Sequence, residues 1–156
     1  MYKLLAIDIS SYTAKVENKR IAVVPFSYAD STSSIKDGTV ISERLSMELI
    51  KLKNEVIERN ALEKVLKELK LENSGIVDPQ KAVELGKILG VDFLITGTLV
   101  RAKDNKIEVN ARIVEVETAR AVKAFQIYVI KDWLGGDVGD KEKSPSENRF
   151  LIRRRR

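Results

Sequence analysis

The sequence predicts an α/β (α+β) fold: a single mixed β-sheet with helices packed on it, in the order β-α-β-α-α-β-β-β. Three observations predict it. The run Ile21–Phe26 is continuously apolar, as a strand buried on both faces would be. Apolar residues then recur at helical spacing in three stretches. Three long segments between Val91 and Ile130 are joined by connections of a few residues, which forces antiparallel neighbours and a closing β-meander.

Residues 1–19 form a leading segment. Its apolar opening, Leu4–Ile9, is broken by Asp8 and is too short and too weakly charged at its front for a secretory signal. It reads as a leading strand or as the remainder of a processed signal. The folded domain is expected over residues 20–133. Pro25 limits pairing at the end of the first strand. A polar loop, Ser27–Asp37, follows, and Val40, Ile41, Leu45, Leu49 and Leu52 then mark a helix over about 39–53.

Glu55–Glu58 is a short strand. Asn60 with Glu63 three residues later resembles a capping box opening a helix whose stripe is Leu62, Val65, Leu66 and Leu69 and which stops near Gly75. Asp78-Pro79 starts another helix, with Asp at the cap and Pro at the first turn. Ala82, Val83, Leu85, Ile88 and Leu89 are its core face, and Gly90 its left-handed stop. Strands over Val91–Val100, Lys106–Val116 and Ala121–Ile130 complete the domain, the middle one placing Ile107, Val109, Ala111 and Ile113 on one face. Residues 134–156 mix Gly, Pro, Ser and charge and read as a flexible basic tail.

Composition narrows the function. The chain is 44% hydrophobic and 33% charged, as globular proteins are, and no apolar run reaches the ~18 residues of a spanning helix. It has neither Cys nor His, which removes disulfides, thiolate nucleophiles, imidazole bases and ordinary zinc sites. Catalysis is therefore not expected. The net charge of +5 belongs to the tail: Arg149 and Arg153–Arg156 supply five of the 28 basic residues, and the remaining 23 balance the 23 acidic ones. A neutral body with 6% aromatics gives no nucleic-acid face. No carboxylate pattern suggests a metal, and no glycine-rich phosphate loop follows a strand, so no cofactor is expected. High Lys and Glu with two Gln lean towards a thermophilic source.

Two candidate sites remain. Ala121–Ile130 is apolar on both faces, with Val122, Ala124, Tyr128 and Ile130 on one and Phe125, Ile127 and Val129 on the other. A partner, a like subunit or the leading segment would cover one of them, making Phe125, Ile127, Val129 and Trp133 the candidate interface. The alternative is a small-ligand or anion-binding regulatory domain. In an open α/β sheet, ligands gather outside the carboxyl ends of parallel strands, which points to Ser27, Ser31, Ser33, Ser34 and Arg59 around the Ser27–Gly38 loop.

The stretches "RIAVVPF", "ER..LEKVLKE" and "A.ELGKILGVDFLITGTL" resemble the periplasmic domain of the curli secretion-channel (CsgG-like) family over about residues 20–125. Its relatives include FlgO-like flagellar proteins, outer-membrane lipoprotein activators of peptidoglycan synthases and the TolB amino-terminal domain. The resemblance implies a non-catalytic protein-interaction or assembly domain of the periplasm or outer membrane, with a protein partner or self-association. Two departures qualify it. The turns at 103–105 and 117–119 are a few residues long, where the channel carries membrane-inserted hairpins, so this chain is not expected to form that pore. It also shows neither a signal peptide nor the lipid-bearing Cys usual in relatives, so either a precursor carries them or the protein is cytoplasmic.

Overall fold

The computed structural model describes residues 1–30, 35–71 and 78–136. Its core is a six-stranded mixed sheet: β1 (Arg20–Val23), β2 (Ser27–Tyr28), β3 (Glu55–Val56), β4 (Phe93–Arg101), β5 (Lys106–Glu115) and β6 (Arg120–Ile130). The strand order is β3-β1-β4-β5-β6, with β2 also on β4. β3, β1 and β4 run parallel, and β4, β5 and β6 form the antiparallel meander. The mixed sheet expected from the sequence is the one observed.

β1 and β2 are one strand interrupted. Val23 pairs with Ile95 and Ser27 with Thr98, so four steps on one side oppose three on the other. The extra residue is a bulge around Pro25, which has no N–H to give the ladder.

Alternation along β1 feeds two cores. Ile21 and Val23 face one side, with Ile41, Leu45 and Leu49 of α2 (Lys36–Lys51). Ala22 and Val24 face the other, with Leu62 and Leu66 of α3 (Arg59–Glu68) and Ala82 and Leu85 of α4 (Pro79–Leu89). Gly38, in the first turn of α2, lies against the bulge: a Cβ there would sit 1.5 Å from the Phe26 carbonyl oxygen. Gly86 does the same for α4, where a Cβ would come within 2.4 Å of Val116.

The leading segment is the main correction. It is neither a strand nor an appendage but a helix, α1 (Tyr2–Thr13), whose Leu5, Ala6 and Ile9 are buried in the first core and which packs chiefly on α2. Leu4 and Ile7 are also apolar yet face solvent, which blurred the helical period.

Smaller corrections concern termini. β3 covers only Glu55–Val56: Ile57 N–H still donates to the Ile21 carbonyl, but the extended Glu58 is already the cap of α3, which starts at Arg59. Asn60 is therefore inside α3 rather than capping it; the cap is Glu58, and Glu63 pairs with Arg59. α3 ends at Glu68, and Gly75 lies outside the described residues. Asp78 caps α4 as expected, its carboxylate accepting from Gln80 N–H at 2.9 Å, and Gly90 closes it with φ of 68°. Ile88, expected in the core, is 53% exposed.

Candidate functional site

The two cores do not cover the sheet equally. On the side of α3 and α4 the helices reach the β1–β4 half, and the buried cluster ends at Leu94 and Val116. Beyond it the even-numbered positions of the meander stand open in register. One row is Val100, Glu108 and Tyr128; the next is Thr98, Asn110 and Gln126. Glu108 accepts from Gln126 at 2.6 Å and from Asn110 at 3.1 Å, fixing the polar centre. Val100 is 41% exposed, Tyr128 47% and Ile130 63%, so one corner of this face is apolar. It borders the outer edge of β6, the last strand in the sheet order.

The interface residues expected from the sequence point the other way. Val129 is buried, and Phe125 and Ile127 are half-buried against the first core. Val122 joins them instead of Ala124, Tyr128 and Ile130. The reason is a bulge: Ile113 pairs with Lys123 but Val114 with Ala121, so Val122 is unopposed and its parity flips.

Trp133 belongs to a buried clasp. Asp37, fully buried in the first turn of α2, receives Trp133 Nε1–H at 2.7 Å and the Tyr28 hydroxyl at 2.9 Å, with Lys131 Nζ 3.6 Å away. Lys131 is itself only 7% exposed, so the carboxylate is matched by a buried cation and two neutral donors. Beside it Arg44 holds Asp132 at 2.7 Å and lies over the rings of Trp133 and Tyr2, at 5.1 and 5.8 Å. The Arg44 hydrogen bond lowers the Asp132 pKa and raises that of Arg44. Burial raises the Tyr2 phenol, with Arg44 opposing. Asp37 does not stand out in the sequence, where an acid at a helix start reads as an ordinary first-turn residue.

The loop alternative maps to the carboxyl ends of β1 and β3. A cavity of about 540 Å³ is lined there by Ser27, Phe26, Ile35, Thr39, Asn60 and Leu66, among others. A second, of about 280 Å³, lies between α2 and α3 and includes Arg59. Ser31, Ser33 and Ser34 lie outside the described residues. Arg59 bonds Glu63 at 2.7 Å and pairs with Glu43 at 3.5 Å, and the Glu63 hydrogen bond raises its pKa. Among the described residues there is no cluster of three metal-ligating side chains, and no helix is long and apolar enough to cross a membrane.

Known proteins share this fold. The family described as curli production assembly/transport component CsgG matches residues 5–102. Among solved structures, the LpoB C-terminal domain from Salmonella enterica is similar with a TM-score of 0.61 at 12% identity, over 83% of this chain and 96% of that one. Lipoprotein GNA1162 from Neisseria meningitidis is similar with a TM-score of 0.57 at 16% identity, over 86% and 90%. At such identities the likeness is one of fold. No curated protein matches the sequence.

Proposed function

Because the chain belongs to the curli production assembly/transport component CsgG family, we propose that it is a non-catalytic protein-interaction domain of the cell envelope, periplasmic or outer-membrane-associated, that binds a protein partner through β6 and the open face beside it. The observation that carries this reading is that β6 is an eleven-residue edge strand whose outward corner, Tyr128 and Ile130, is apolar and exposed. An edge strand offers a row of backbone donors and acceptors to an added strand, and a neighbouring apolar corner offers side-chain contact. The Neisseria protein of similar fold is a lipoprotein, which favours an envelope setting and a lipid anchor carried by a precursor. The anion-pocket reading is the poorer one, because two carboxylates already meet the charge of Arg59.

The test uses the native host. A photo-crosslinking amino acid at Gln126 should give a discrete protein adduct in the envelope fraction, and intact mass there should show processing or lipid. Tyr128→Asp with Ile130→Lys should lower the adduct at least tenfold while leaving stability within about 0.5 kcal/mol, since both side chains are exposed. An adduct unaffected by the pair, or an unprocessed protein confined to the cytosol, overturns the reading.

A further inference from the structure

β6 is the last strand in the sheet order, and among the described residues nothing pairs with its outer edge. The backbone parity of that edge is set by one bond. Lys131 N–H donates to the Asn105 carbonyl at 2.9 Å, one step beyond the Lys106–Ile130 pair. Hydrogen-bonded pairs alternate along an antiparallel ladder, so the odd-numbered residues from Lys131 back to Lys123 bond β5. The N–H and C=O groups of Ala124, Gln126, Tyr128 and Ile130 therefore point away from the sheet.

Sheet edges are commonly protected by charge, by proline or by a bulge. β6 has its bulge at Val122 and its two charges, Arg120 and Lys123, at the starting end. The stretch that follows, Ala124–Ile130, holds no charged residue, no Pro and no Gly. It is also complementary to itself. In an antiparallel pairing of two copies centred on Ile127, all four outward residues find partners: Ala124 meets Ile130 and Gln126 meets Tyr128, each twice. The open face thus sets small against large and amide against phenol hydroxyl. On the other face Ile127 meets Ile127 on the two-fold axis and Phe125 meets Val129. That pairing adds cover to Phe125 and Ile127, which are only half-buried in the single chain. Moving the centre by one outward residue opposes Ile130 to the bulged Val122, or Ala124 to Asp132. Only the centred register matches the uncharged stretch throughout.

We infer, resting on the role proposed for β6, that its partner is a second copy of this chain, paired strand to strand in that register across a two-fold axis. Such a contact is isologous and closes at two copies, since it uses the edge that it joins. Lys123 of one copy and Lys131 of the other bound the paired stretch at each end, and the Lys131 ammonium is turned to its own Asp37.

The chain has no Cys, so Ile127→Cys gives a single thiol, placed on the axis. Facing residues of a non-hydrogen-bonded pair have Cα atoms about 4.5 Å apart, within disulfide reach. Copper phenanthroline in air should link most of the full-length variant as dimers, two thiols giving up two electrons and two protons to oxygen for each bond. Ala124→Cys should not link, because its two copies lie ~20 Å apart along the pair. The unaltered chain should sediment at twice its mass. Gln126→Pro removes an N–H that the ladder to β5 does not use, and it should lower the dimer fraction at least tenfold. Tyr128→Lys leaves the backbone intact, puts a protecting charge on the edge, and should act likewise. A monomeric chain, a dimer indifferent to both substitutions, or linkage through position 124 as ready as through 127 overturns the inference. The photo-crosslink at Gln126 separates the two levels: an adduct with a different protein, beside a monomeric chain, removes the second copy and leaves the β6 reading standing. Neither adduct nor dimer removes both.

Discussion

Gly38 is the position where the least chemistry carries the most structure. It lets the first turn of α2 rest on the Phe26 carbonyl, with no room for a methyl. Gly38→Ala must push α2 off the bulge. Overpacking of this kind costs about 1–3 kcal/mol or more, and urea denaturation should show the loss as a lower midpoint. Residue-level detail was legible where a side chain acts on its own backbone, as Asp78 does in capping α4. It was not legible where the partner is distant in sequence. Asn60 and Glu63 have capping-box spacing, but Arg59 claims Glu63. Asp37 and Trp133 are 96 residues apart, and only the folded chain brings them together.

At the scale of elements, the three later helices and the longer strands could be read because each keeps one period, whereas the two-residue β2 falls inside the stretch Ser27–Asp37 that reads as a polar loop. α1 and β6 could not be read fully. α1 carries apolar residues around most of its circumference, and β6 changes face at Val122 because of a bulge invisible in the pattern. Two substitutions separate the faces of α1. Ile9 is wholly buried with Leu45 and Leu49 in the first core, so Ile9→Ala should cost about 2–5 kcal/mol. Leu4 is 62% exposed, and Leu4→Ser should stay within about 0.5 kcal/mol. Equal effects in chemical denaturation would mean that α1 does not dock as described. The strand β6 shows two apolar faces in the sequence, but which of them is covered depends on packing distant in the chain: Phe125, Ile127 and Val129 meet the first core that α1 helps to build, and Tyr128 and Ile130 are left outside.

Over the whole molecule, the clasp joins segments from opposite ends of the sequence, with Arg44 between Tyr2 and Trp133 and bonded to Asp132. No periodicity announces such a junction, since it depends on where β6 finally delivers the chain. Its pH response has a definite sign. Arg44 lowers the folded pKa of Asp132 below its ordinary 3.8, so the stabilisation is present above that value and is lost as pH falls through the lower, folded one. Trp133, the single tryptophan, reports on it. Near neutral pH, Asp132→Asn should differ from the wild type in indole emission and in unfolding midpoint. Under strong acid the two should converge, and a difference that does not depend on pH would refute the ion pair's role. The same junction governs how the domain bears load. A pull on the chain ahead of Tyr2 and beyond Trp133 first meets the Arg44 contacts together with the bonds of Trp133 and Lys131 to Asp37. Once they part, β6, held on one side only, peels from β5 starting at Ile130. Its hydrogen bonds then break one after another instead of shearing together, so the fold is mechanically soft along the line from Tyr2 to Trp133, and β6 yields before the parallel half of the sheet feels the load.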